Sequence, residues 1–188
     1  MNSRERIRTI IGGGAADRCG LWIGNPHGDT WPIYHKFFGT TTEEELRSKL
    51  GDDLRWICPQ FFPGAYKDPR GHGMFDAGLK KTAHGTAGPF ANCEDEKAVE
   101  DYPWPKPDYL NFDDCLAALG KAGDVYRASG FWTCFYHNVM DLFGMEDYMV
   151  KMYTHPKVVH AVTRHVVDFH LEANRRFFAL AGDLVDAY

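Results

Sequence analysis

The histidines, cysteines and carboxylates of this chain are its raw material for chemistry, and their spacing limits what they can do. His155, His160, His165 and His170 fall five residues apart. On a helix each such step turns about 140°, so the four cannot share one face around an ion, and they read as surface or boundary residues. His27, Asp29 and His35 gather with Trp31 and Tyr34 in a loop-like stretch, but without the HExxH spacing that sets two imidazoles side by side. Cys19, Cys58, Cys93, Cys115 and Cys134 are odd in number and include no CxxC pair. They read as reduced thiols of a cytoplasmic protein. Gly12, Gly13 and Gly14 follow a helical pattern and precede none. Lacking GxGxxG, GKS or GKT, they end a helix and do not cradle a phosphate.

Composition narrows the partners. A net charge of −5 and the lack of any Lys/Arg cluster argue against nucleic acid and against an anionic membrane surface. No apolar run approaches the roughly 20 residues of a membrane span, and the N-terminal stretch alternates charged with apolar positions where a signal peptide builds an apolar core. The chain therefore reads as soluble and cytoplasmic, with a small neutral or mixed-charge molecule as its ligand. At 188 residues one domain is the default. Trp31, Trp104 and Trp132 flank prolines or a strand end, where they line a pocket or simply pack.

The elements that must position these groups are legible in places. Residues 124–188 read as strand, polar-aromatic loop, helix, longer helix and second strand. Val158, Val162, Val166, Phe169, Ala173, Phe177 and Leu180 form one apolar stripe on the longer helix, with Pro156 in its first turn and Gly182 after its end. Earlier, Ser3 caps a helix whose apolar face is Ile7, Ile10 and Ile11, and residues 19–25 make a strand closed by Pro26. Thr42 and Glu45 form a capping box for a helix running through Leu50, and residues 54–58 make a second strand. Strand, loop, helix, strand is the parallel α/β rhythm. Residues 61–109 interrupt it with a long insertion, expected to hold a hairpin near Gly78 and a short helix over 95–102. A third helix covers 114–119. Trp22, Trp56, Met149 and Phe169 are expected in the core, and Arg164, Asp168, Glu172 and Arg176 in a solvated ion-pair row.

The opening SRERI, the YPWPKPD segment and above all GFWTCFYHNVMDLFGMEDYMVKMYTHPKVVHAV running into FALAGDLVDAY carry a likeness. On them the chain resembles the N-terminal half of the uroporphyrinogen decarboxylase superfamily, which includes methyltransferases acting on corrinoids, coenzyme M or methionine precursors. The resemblance implies a (β/α)8 TIM barrel of which this chain supplies the first four strands, at 19–25, 54–58, 124–129 and 183–188, with the long insertion after the second. Half a barrel leaves open sheet edges, so residues 1–188 are expected to be one domain of a truncated protein, or a homo-oligomer closing its sheet against a second copy.

The resemblance places the site beyond the strand C-termini. Asn25, His27 and Asp29 follow the first strand, Gln60 the second, and Trp132 with either Tyr136 or His137 the third, while Asp186 lies in the last. All are expected to bind substrate, and no residue is assigned to catalysis. Decarboxylases carry arginines in the first of these loops that clamp substrate carboxylates, and an aspartate in the second. Here the loops read GNPHGDTW and Pro59–Gln60, with Asp68 or Asp76 of the insertion as alternative carboxylates. The methyltransferases activate a thiol with zinc, whose ligands lie in the second half of the barrel, so no cofactor is evident in this chain itself. The expected function is that of a methyltransferase-like or other small-substrate enzyme, acting on a methylated corrinoid or thiol or on a tetrapyrrole. The alternatives are a genuine decarboxylase, a lyase of porphyrin biosynthesis, and an inert fragment serving as a binding or assembly module.

Overall fold

The longest apolar stripe becomes the longest helix of the computed structural model, which describes residues 1–75, 80–82 and 85–188. The chain divides into two units, one made of residues 1–57, 116–129 and 183–188, the other of 58–115 and 130–182.

In the first unit, α1 (Ser3–Ile11) is capped by Asn2, whose side chain accepts from Glu5 N while the Glu5 carboxylate accepts from Asn2 N. The stretch that reads as a loop at Trp31 is helical instead, as α2 (Thr30–Phe38). Pro32 sits in its first turn, where backbone N–H groups have no helical partner anyway, and Gly39 closes it in the left-handed region at φ 63°. α3 (Glu43–Leu50) has the Thr42–Glu45 capping box and ends at Gly51, as its sequence predicts. β1 (Leu54–Trp56) pairs in parallel with β4 (Tyr126–Ala128), in the register Leu54↔Tyr126, Arg55↔Arg127 and Trp56↔Ala128. α5 (Asp113–Lys121) precedes β4, and its residues 116–121 belong to this unit.

The four-stranded half barrel does not form. Among the described residues the parallel sheet holds two three-residue strands, and most of the regular structure is helical. Residues 19–25 make no strand. Gly20 and Gly24 weaken any ladder there, Gly24 turning at φ 70°, and in place of a ladder Asp53 N donates to Leu21 O while Leu21 N donates to the Asp53 carboxylate. Residues 182–184 form a 3-10 turn, and Ala187 alone bridges Ala128 in parallel. Charge closes this unit. Buried Asp53 accepts from Arg6 Nη1 at 2.6 Å, from both Arg18 Nη atoms and from Leu21 N. Asp186, whose side chain is buried, accepts from Arg4 Nε at 2.8 Å, from Arg8, and from Arg127 N at 2.9 Å.

The second unit is built on α6 (Phe135–Phe143), α7 (Met145–Thr154) and α8 (Pro156–Ala181). Its core joins Val139, Leu142 and Phe143 of α6 to Val158, Val162 and Val166 of α8, with Val99 from α4 (Glu96–Glu100). The stripe on α8 ends at Phe177, since Leu180 is exposed. Met149 and Trp22, expected in the core, are 46% and 48% exposed, whereas Phe169 is buried. β2 (Lys80–Thr82) pairs antiparallel with β3 (Gly85–Ala87), and the hairpin turn expected at Gly78 lies outside the described residues. Among the described residues no helix is long and apolar enough to cross a membrane.

Candidate functional site

The segment after β4 is held by its backbone. Phe131 is fully buried, its N–H donates to Asn174 Oδ1 at 2.7 Å, and its carbonyl accepts from Asn174 Nδ2 at 3.4 Å. This amide clamp from α8 turns the next residue outward, and Trp132 is 54% exposed. Trp132 O accepts from Gln60 Nε2 at 3.4 Å, so two residues nominated from different loops meet. The other end of that amide, Gln60 Oε1, is buried without a hydrogen-bond partner.

Two residues beyond Trp132, the Cys134 thiol donates to Asn138 Oδ1 at 3.7 Å, and the same oxygen lies 3.2 Å from His170 Nε2. Burial pushes the His170 imidazolium down to a pKa of about 4, so the ring is neutral near pH 7. The tautomer that donates from Nε2 to Asn138 leaves Nδ1 as a lone-pair acceptor, and Nδ1 is buried with no partner. His170 is thus 5% exposed, against the expectation that all four spaced histidines lie at or near the surface. α8 buries a broad band, with Phe169 and His170 covered together. His160 is exposed, and His165 stacks on Trp104 at 4.6 Å while facing Glu100 at 3.1 Å. Tyr136 and His137 both stand exposed in the first turn of α6. Tyr136 lies edge-on to His137 at 6.2 Å and to Tyr148 at 5.4 Å.

Gln60, Trp132, Tyr136 and His137 all belong to the second unit, and Asn25, His27, Asp29 and Asp186 to the first. Asn25 lines a cavity of about 590 Å³ with Glu43, Glu44, Arg47, Arg55 and Lys121. His27 and Asp29 face each other at 3.4 Å with side chains 81% and 95% exposed. Asp186 is occupied by its arginines and by the Arg127 N–H, which makes it a structural anchor where a ligand contact was expected.

The guanidinium groups are largely committed. Arg4 and Arg8 pair with Asp186, Arg6 and Arg18 with Asp53, Arg47 with Asp52, Arg55 with Glu44, Arg70 with Asp68, and Arg175 and Arg176 with Glu172. Arg127 donates to Leu119 O, and Arg164 stands exposed on α8. Arg70 and the two α8 arginines hold the Asp68 and Glu172 carboxylates down at about 2.

Among the described residues no group of three or more His, Cys, Asp or Glu side chains is placed to hold a metal. The immediate neighbour of the Cys134 thiol is a neutral amide, which is no zinc ligand, so the residues present do not fit zinc and no step is derived through it. Sequence reading missed Asn138, His170 and Asn174. The signal was the pair His170 and Asn174, four residues apart and each directly following a buried stripe residue, Phe169 or Ala173.

The chain matches no protein-family model, no curated protein and no solved structure.

Proposed function

We propose that the chain belongs with the uroporphyrinogen decarboxylase superfamily and that it takes part in methyl transfer or in chemistry on another small substrate, and does not decarboxylate uroporphyrinogen. The observation that carries this preference is the commitment of the guanidinium groups. A substrate with eight carboxylates needs bidentate cationic partners, and nearly every arginine here already answers a carboxylate of its own chain.

The segment around Gln60 and Trp132 suits a smaller and less charged molecule. Gln60 offers a free carboxamide oxygen, and Trp132, Tyr136 and His137 offer exposed rings. An amide held at one end by Trp132 O orients a substrate donor at its other end without supplying charge.

The test is a pair of assays on the purified chain. Anaerobic incubation with uroporphyrinogen, read as coproporphyrin by chromatography after oxidation, is expected to give no product, and efficient turnover would overturn the preference. Methylcobalamin titrated against tryptophan fluorescence is expected to quench the native chain and to quench Trp132→Ala much less. Equal quenching of the two would remove Trp132 from the site.

A further inference from the structure

A cavity of about 180 Å³ lies within the second unit, walled by Tyr66, Asp68, Phe75, Tyr102, Pro103 and Pro105. Most of its wall is fixed. The prolines hold their own φ, the Tyr66 hydroxyl accepts from Lys106 N at 3.0 Å, and Arg70 grips both Asp68 oxygens, with Nη2 2.6 Å from Oδ2. With that carboxylate paired to Arg70, the wall adds one imidazole, His72, to its aromatic rings and prolines.

Phe75 is the exception. It is the only non-glycine residue with positive φ among the described residues, at 56°, a backbone conformation that a bulky side chain keeps only where its surroundings enforce it. Its ring lies edge-on to Phe169 at 5.1 Å and tilted by 30° over the His170 imidazole at 5.3 Å. Phe75 therefore lines the cavity and also packs beside the His170 ring. Beneath it, His170 spends Nε2 on Asn138, and its buried Nδ1 has no donor. An unmet buried acceptor is rare and costly, and this one belongs to the ring beside Phe75, the residue with the strained backbone.

We propose that Phe75 is a movable plug over a small-ligand site. The ligand is a flat neutral aromatic carrying one O–H or N–H donor, which takes the place of the Phe75 ring against Phe169 and donates to His170 Nδ1. Shape selects the flat ring, since the place it fills is an aromatic one. The lone pair selects the donor. This inference stands apart from the methyl-transfer reading, because it uses neither Gln60 nor Trp132.

Phenol is the probe, and toluene is its match without a donor. Phe75→Gly removes the plug and accepts the backbone conformation without strain. Calorimetric titration is expected to show Phe75→Gly binding phenol at least tenfold more tightly than the native chain and about tenfold more tightly than toluene, the discrimination one hydrogen bond gives. Adding His170→Leu is expected to make phenol and toluene equal. No gain on removing the plug, or toluene matching phenol while His170 is present, would overturn the proposal. If Phe75→Gly does not fold, the native chain carries the test alone. With histidine-selective ¹⁵N labelling, the His170 Nδ1 resonance must move with phenol and stay still with toluene, and no response to phenol refutes it.

Discussion

Gly88 sits where a strand meets the end of α6, and replacing it with alanine tests that junction. A Cβ at this position would lie 2.3 Å from Asp141 O and from Leu142 C and O, all backbone atoms, where ordinary contact begins at 3.4 Å. No side chain can swing aside to make room, so strand or helix must retreat by about 1 Å. Overpacking of this kind costs about 1–3 kcal/mol. Retreat also stretches the Gly88 N to Phe143 O bond of 3.0 Å and the Phe90 N to Leu142 O bond of 2.9 Å, each contributing about 1 kcal/mol. We expect Gly88→Ala to lose about 3 kcal/mol by urea unfolding and to lower Tm by roughly 6–12 °C. Gly120→Ala is the matched control. It lies exposed in α5 with no heavy atom within 4 Å of the added carbon, so it is expected to gain about 0.5–1 kcal/mol. A Gly88→Ala variant within about 0.5 kcal/mol of the native chain would refute the close approach.

Asn174→Leu keeps most of the side-chain volume and strips the clamp from Phe131, leaving its N–H without the 2.7 Å acceptor; a loss of about 1–3 kcal/mol in urea unfolding is expected. Acid titration should expose His170. Its folded-state pKa of about 4 lies below the roughly 6.5 of the unfolded chain, so between those values the unfolded state binds more protons and stability falls as pH falls, by up to about 1.4 kcal/mol per pH unit. Comparing urea midpoints at pH 7, 6 and 5, His170→Leu should show a shallower decline than the native chain, and parallel curves would contradict a buried neutral imidazole. The paired carboxylates of Asp68 and Glu172 act lower, where their stabilisation, present above about pH 4, is lost as pH drops toward 2.

What the sequence made legible was periodic or locally capped. The stripe on α8 and the Thr42–Glu45 box of α3 depend on neighbours within a few turns, and both formed. α2 escaped because Pro32 and His27-Gly28-Asp29 look like loop punctuation, while a proline in a first turn costs a helix nothing. The strand expected over 19–25 failed for a non-local reason, as an apolar run becomes a strand only if a partner lies alongside. Leu21 found one backbone donor, Asp53 N, and its own N–H went to the Asp53 carboxylate. For the site, the family resemblance nominated Gln60 and Trp132, which meet. Spacing dismissed His170 by treating four histidines as one set, when burial on α8 is decided residue by residue.

The arginine pair on α1 has a consequence for the order in which the chain takes shape. Arg4 and Arg8 both reach Asp186, 182 and 178 residues further along, and Arg4 also donates to Asp183 O. A chain synthesised from its N-terminus must therefore hold α1 without those partners until residue 186 has left the ribosome. A nine-residue helix is too short to persist in water without tertiary contacts. Contacts this distant in sequence are the slow ones to close, so the first unit is expected to be completed late, after local pairs such as α6 with α7.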